Sequence, residues 1–182
     1  MKRLVVLTTV IAALILTVGV TSYARTTLTP APQPVETPKP TKVVSKYETG
    51  PPDAQELLEL VNKERVEAHV APLQFNLDVQ KSAQLKADDF ANRHYYSHLI
   101  KGTNQVLTPQ MNELLVANCS NSSENIAADM LTSADAFNST NGWLSSTPHK
   151  KAILNPKYTS TGFGVSYDDG DYYVVEHFCV AK

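Results

Sequence analysis

Three side chains in the second half of this 182-residue chain combine into a recognisable chemistry. His98 closes the run Tyr95-Tyr96-Ser97-His98, Glu124 lies in Ser123-Glu124-Asn125-Ile126-Ala127, and His149 follows Trp143-Leu144-Ser145-Ser146-Thr147-Pro148. Two imidazoles and a carboxylate make a familiar zinc shell, and three protein ligands leave a fourth position open to water or substrate. The three residues are far apart in sequence, and no local His-Glu-x-x-His spacing ties them together. Their convergence is therefore a demand on the fold. The bland alternative is three unrelated polar residues, since lone histidines are commonly surface or core residues.

Other groups offer weaker chemistry. Ser97, Ser145 and Ser146 have nucleophilic hydroxyls, but no Gly-x-Ser-x-Gly elbow frames them. Asp168, Asp169 and Asp171 are possible calcium ligands, yet the later ligands of a dedicated loop are missing, and Asp168-Asp169-Gly170-Asp171 reads as a tight turn. His177 lies mid-strand and reads as structural. At the end of a helix, His94 or His98 has a competing explanation in the helix dipole, which favours a protonated imidazole there. Three sequons, at Asn118, Asn121 and Asn138, matter only in a host that glycosylates asparagine.

The elements that must position these groups follow from periodicity and caps. A first helix is expected from Asp53, with Glu56 three residues on as in a capping box, to a point near His69; Leu57, Leu60, Val61 and Ala68 form its core face. Asn62 and Arg65, one turn apart near that face, are candidates to pin it to a neighbour. A second helix is expected from Asn76, with Asp78 in its first turn and Val79, Ala83, Ala87, Phe90, Ala91 and His94 as its stripe. Thr108-Pro109 opens a short helix through Val116, and residues 118–123 read as a polar loop. Residues 124–127 read as a short strand or the edge of a site. Thr132 and Asp135 suggest a further capping box, opening a helix through Ala136, Phe137 and Trp143 that Gly142 weakens and Pro148 breaks. Two strands, 161–167 and 172–180, end the chain. Helices first and strands last imply an α+β layered domain.

The N-terminus bears on compartment. Lys2-Arg3, an apolar run over residues 4–20 and the small residues of Ser22-Tyr23-Ala24 form an export signal, residues 1–24; an uncleaved membrane anchor is the alternative. Residues 25–52 hold seven of the eleven prolines and read as an extended spacer before a domain over residues 53–182. In the oxidising compartment this implies, the even pair Cys119 and Cys179 favours a disulfide, with two buried thiols as the alternative. A net charge of -2 and no clustered basic surface argue against nucleic-acid binding.

The ordered set Leu60-Val61-Asn62-Lys63-Glu64-Arg65, Pro72-Leu73, residues 83–87, Tyr96-Ser97-His98, Glu124-Asn125-Ile126-Ala127, residues 143–154 and Gly162-Phe163-Gly164-Val165 resembles the CAP superfamily. This is the SCP-like group of cysteine-rich secretory, venom allergen and plant pathogenesis-related proteins, and the likeness is to its bacterial exported branch. The resemblance implies a three-layer α-β-α sandwich with a central cleft lined by His98, Glu124 and His149, with Asn125 and Ser146 beside them. It implies a divalent metal, zinc among the candidates, held by His98 and His149. Departures are a serine, Ser146, near the place of a second cleft glutamate in animal relatives, and Glu176 where the family usually has glutamine.

The expected function is an exported, secreted or membrane-anchored, non-enzymatic module binding an extracellular lipid, sterol, glycan or peptide. One alternative is a metal-dependent hydrolase with Glu124 as general base toward a metal-bound water. Another is a structural cell-surface module whose polar cluster only holds the sandwich together.

Overall fold

The computed structural model describes residues 50–182. The expected export or anchor segment, and the expected spacer up to residue 49, lie outside the described residues.

Helix α1 (Ala54–Glu67) starts at Asp53, whose Oδ1 accepts the N–H groups of Gln55 and Glu56 at 2.9 and 3.0 Å. The expected reciprocal bond from Glu56 is not made. Ser133 stands in between: its Oγ accepts the Asp53 N–H at 2.9 Å and donates to Glu56 Oε2 at 3.0 Å. The cap is thus closed by a residue 77 positions beyond Glu56, which ties this helix start to the start of a later helix at Ser133. Strand β1 (Gln74–Phe75) is brief, and helix α2 (Leu77–Arg93) follows from its Asn76 cap. His94 does not extend the α2 stripe. It takes a left-handed φ of 51°, ends the helix and pairs its Nδ1 with Asp168 at 2.7 Å.

Helix α3 (Pro109–Asn118), capped by Thr108, runs directly into strand β2 (Cys119–Met130). The polar loop expected over residues 118–123 is therefore helix end and strand. Its serines and asparagine are compatible with a ladder because the bonds to the neighbouring strand come from the backbone. Helix α4 (Ser133–Asn138) has the full Thr132–Asp135 capping box but stops well short of Trp143. Ser139 turns extended, and Gly142 returns the chain so close that a Cβ there would lie 2.7 Å from the Asp135 carbonyl oxygen. Trp143 falls in a 3-10 turn (Trp143–Ser145), followed by helix α5 (Thr147–Ile153). Strands β3 (Ser160–Asp168) and β4 (Asp171–Ala181) form a hairpin through Asp169 and Gly170, at φ values of 48° and 111°. Positive φ at both central residues suits the right-handed twist of the paired strands.

The sheet order is β1-β3-β4-β2, with β1 parallel to β3 and the other pairs antiparallel. The alternating faces of β4 assign the layers. Val174 and Phe178 pack with α1, α4, Trp143 and α5, whereas Val175 and Cys179 pack against α2 and α3. The architecture is the expected α-β-α sandwich. Glycines permit the close approach of α2: a Cβ on Gly162 would fall 2.1 Å from the Gln80 nitrogen, and one on Gly164 would fall 2.3 Å from the Ala83 backbone. Beyond the end of β1, the Gln84 amide takes the role of a strand residue, donating to the Val165 carbonyl at 2.7 Å and accepting its N–H at 3.0 Å.

Two further ties fix the frame. Cys119 and Cys179 form the expected disulfide, joining β2 to β4. The fully buried Arg65 donates to the carbonyls of Ala71, Ile153, Asn155 and Tyr158 at 2.6–3.1 Å, clamping α1 to the end of α5 and the approach to β3. Asn62 pairs both ways with the Leu73 backbone. The pinning role expected for these two residues is the one they have.

Candidate functional site

Three separate pieces of chain carry the site. His98 belongs to the loop after α2, Glu124 to β2 and His149 to α5. His98 Nδ1 lies 2.7 Å from Glu124 Oε1, and the rings of His98 and His149 lie 6.5 Å apart at 63°. Asn125, buried on the opposite face of β2 from Glu124, donates its amide to the His149 carbonyl at 3.3 Å and so anchors the helix that carries that histidine. Ser146 is half-buried at the start of α5, where its side chain makes no cap bond.

Glu124 has more partners than its sequence neighbourhood suggests. Its second oxygen, Oε2, lies 3.0 Å from His177 Nε2 and 3.8 Å from Lys86 Nζ. The carboxylate is 5% exposed, while the side chains of Lys86 and His177 are 0% and 1% exposed. Behind His177, its Nδ1 meets Ser82 Oγ at 3.1 Å. Lys86 also donates to the carbonyls of His98 and Val106, at 2.6 and 2.9 Å, and so holds the His98 loop against α2. The Tyr96 hydroxyl fixes the same loop to the Ile126 carbonyl at 2.9 Å.

These contacts set the charges. Burial alone would push the Glu124 carboxyl up, but bonds from His177 and His98 and the Lys86 charge together hold it below the ordinary carboxylate value. Burial lowers the Lys86 ammonium, with Glu124 and Asp89 opposing. His149 is lowered by burial and then by the neighbouring His98, which favours its neutral, donor-capable form. An ionised carboxylate only accepts, so the His98 nitrogen facing Glu124 carries the hydrogen and the His98 Nε2 lone pair is left free in the neutral ring. A histidine whose far nitrogen is fixed by a carboxylate is a common arrangement behind metal ligands.

The sequence-predicted residues His98, Glu124, His149 and Asn125 are thus brought together. Glu124 stands as the support of His98, with both oxygens occupied. Among the described residues, no three His, Cys, Asp or Glu side chains are arranged to hold a metal ion. The fit that remains is a two-histidine donor set. His98 has a nitrogen free beyond its carboxylate, and the His149 Nδ1 is buried without a hydrogen-bond partner. The aspartates of the β3–β4 turn form no such set either, and Asp168 is taken up by His94.

Sequence reasoning missed Lys86 and Ser82, and it read His177 as structural without placing it beside Glu124. A signal existed for the first two: with Val79, Ala83, Ala87 and Phe90 buried, helical spacing places positions 82 and 86 on the same inward stripe. A polar residue on such a stripe needs a buried partner. His177 could be found only by pairing β4 with β2, which sets it directly opposite Glu124.

The profile of the cysteine-rich secretory protein family, CAP, matches residues 58–182, and the chain belongs to that family. An uncharacterized Bacillus subtilis protein, YkwD, is 30% identical over 121 residues, a stretch covering 66% of this chain and 43% of that relative. The chain therefore spans less than half of that relative's length. Among solved structures, an extracellular SCP-domain protein of Bacillus anthracis superposes with a TM-score of 0.57 at 24% identity, over 69% of this chain and 39% of the other. An outer surface protein of Borrelia burgdorferi gives 0.59 at 20% identity, over 70% and 92%. These likenesses establish the fold.

Proposed function

We propose that this is an exported protein whose CAP domain binds an extracellular ligand without chemical turnover, in a cleft where His98 and His149 hold a divalent metal ion such as zinc. The observation that carries the reading is the 2.7 Å contact of His98 Nδ1 with Glu124, which turns Nε2 of that ring to ligand duty. Burial of His149, which favours its neutral form, adds the second imidazole. The ion would supply a Lewis-acidic anchor for a polar group of the ligand. A lipid, sterol, glycan or peptide outside the cell is the ligand class this reading entails. The extracellular and outer-surface relatives support export, as does the apolar N-terminal run.

Catalysis by Glu124 as general base has less support. Both carboxylate oxygens already accept from imidazoles and the side chain is only 5% exposed, so a water has little access to the lone pairs that remain.

Zinc titration by calorimetry tests the reading. The purified protein is expected to bind one equivalent, and His98→Ala and His149→Ala are each expected to abolish binding. A folded wild-type protein that takes up no zinc, cobalt or manganese overturns the metal assignment. Turnover of peptide, ester or glycan substrates that depends on His98 overturns the non-enzymatic one.

A further inference from the structure

Glu124 does not hold His98 unaided. Behind it runs a line of side chains from the sheet into α2: His98 Nδ1 to Glu124 Oε1 at 2.7 Å, Glu124 Oε2 to His177 Nε2 at 3.0 Å, and His177 Nδ1 to Ser82 Oγ at 3.1 Å. His98 is the exposed end of this line, at 51%, and every other member is buried. An exposed histidine on a loop would ordinarily sample both tautomers and several ring orientations.

The direction of each bond to Glu124 follows from donor and acceptor capacity. An ionised carboxylate offers only lone pairs, so both imidazole nitrogens facing Glu124 carry hydrogens. The His177 Nε2 hydrogen is thereby committed to Glu124 at 3.0 Å. Behind it, Ser82 Oγ lies 3.1 Å from His177 Nδ1 and donates to the Met111 carbonyl at 3.2 Å. His177 therefore fixes the plane of the Glu124 carboxylate, and the carboxylate selects the His98 tautomer. Lys86, at 3.8 Å, contributes charge to the same oxygen but lies beyond hydrogen-bond reach of it.

We infer that His177 is the positioning residue of this site: through Glu124 it locks His98 in the Nδ1–H tautomer, leaving Nε2 free to bind a metal ion. The inference rests on the metal-binding reading for its purpose, but the lock itself is a property of the metal-free protein. His177 touches no ligand in this scheme.

The test is imidazole nitrogen–proton correlation NMR on the metal-free protein at neutral pH, followed by zinc titration. Wild-type spectra are expected to show His98 as Nδ1–H and His177 as Nε2–H. In His177→Leu the His98 pattern should move to a mixture of tautomers, and zinc affinity should fall by about 10- to 100-fold, the usual effect of losing a residue that supports a metal ligand. His177→Gln, which keeps a donor toward Glu124, should restore the single His98 tautomer.

An unchanged His98 pattern in a folded His177→Leu overturns the inference. So does a wild-type His177 in the Nδ1–H form, which requires no variant to fold. Should the wild type show the tautomer lock and yet bind no zinc, the metal-binding reading fails while the positioning role stands.

Discussion

Thr161 Oγ donates to Glu176 Oε1 at 3.1 Å, while Glu176 Oε2, in the same fully buried carboxyl, has no hydrogen-bond partner. Burial pushes this carboxyl well above its ordinary value, and the Thr161 hydroxyl, the Arg65 charge and the Asn125 amide only oppose that rise. The folded protein therefore keeps a proton that the unfolded chain releases above about pH 4.3. Stability attributable to this group falls as pH climbs from there toward the raised folded value. Glu176→Gln removes the ionisation. It is expected to stabilise the protein by about 1–3 kcal/mol near neutral pH and by little near pH 4, measured by urea melts across that range. A neutral-pH loss of stability would show instead that the site accommodates a carboxylate.

Glu124 has the opposite sign. Its folded value is depressed, so its contribution is fully present above the unfolded value and is lost as pH falls through the folded one. Glu124→Gln is expected to cost about 1.5–3 kcal/mol at pH 7, the scale of hydrogen bonds to a charged group. The difference from wild type should shrink steadily below about pH 4. Thermal melts at intervals of pH will read this, and parallel curves for the two proteins would contradict it.

Arg65 is predicted to resist conservative replacement. Its guanidinium reaches four backbone carbonyls from three directions, which a lysine ammonium cannot do from a single point. Arg65→Lys should cost about 2–4 kcal/mol, since several buried carbonyls lose their donor. Hydrogen exchange should quicken in residues 68–72 and 153–158 ahead of the sheet. Uniform loosening across the domain would indicate that the clamp is not local.

The disulfide closes a long loop, its cysteines Cys119 and Cys179 standing 60 positions apart. Reduction is expected to remove about 4 kcal/mol by releasing that constraint on the unfolded chain. Urea midpoints with and without reductant measure it. A shift below about a quarter of that size would mean that the unfolded chain is already compact around this pair.

Much of this molecule was readable from residue types alone. The caps at Asp53, Asn76, Thr108 and Thr132 each mark a helix start, and Asp169-Gly170 marks the hairpin. What was not readable has a common physical cause. Cys119 to Ser123 look like loop because an antiparallel ladder is built from backbone and tolerates polar side chains. The chain stops its helix at Asn138 and returns so that Gly142 lies against the Asp135 carbonyl, a close approach that the weakening glycine only hinted at. The candidate histidines and Glu124 were recognisable as chemical types and as pieces of a family pattern. The role of Glu124 as a support between His98 and His177 was not, because it depends on strand register: only when β2 meets β4 does His177 stand across from it.

The Gln84 amide at Val165 has an effect beyond this one molecule. A bare strand edge invites a neighbouring chain to add a strand, and β1 covers β3 only at Ser160 and Thr161. With Gln84 occupying both polar groups of Val165, an incoming strand finds that position already taken. If the domain is displayed at high local density outside the cell, many copies can crowd together with this margin closed to edge-to-edge polymerisation. Gln84→Ala would reopen it while leaving the interior of each copy as it was.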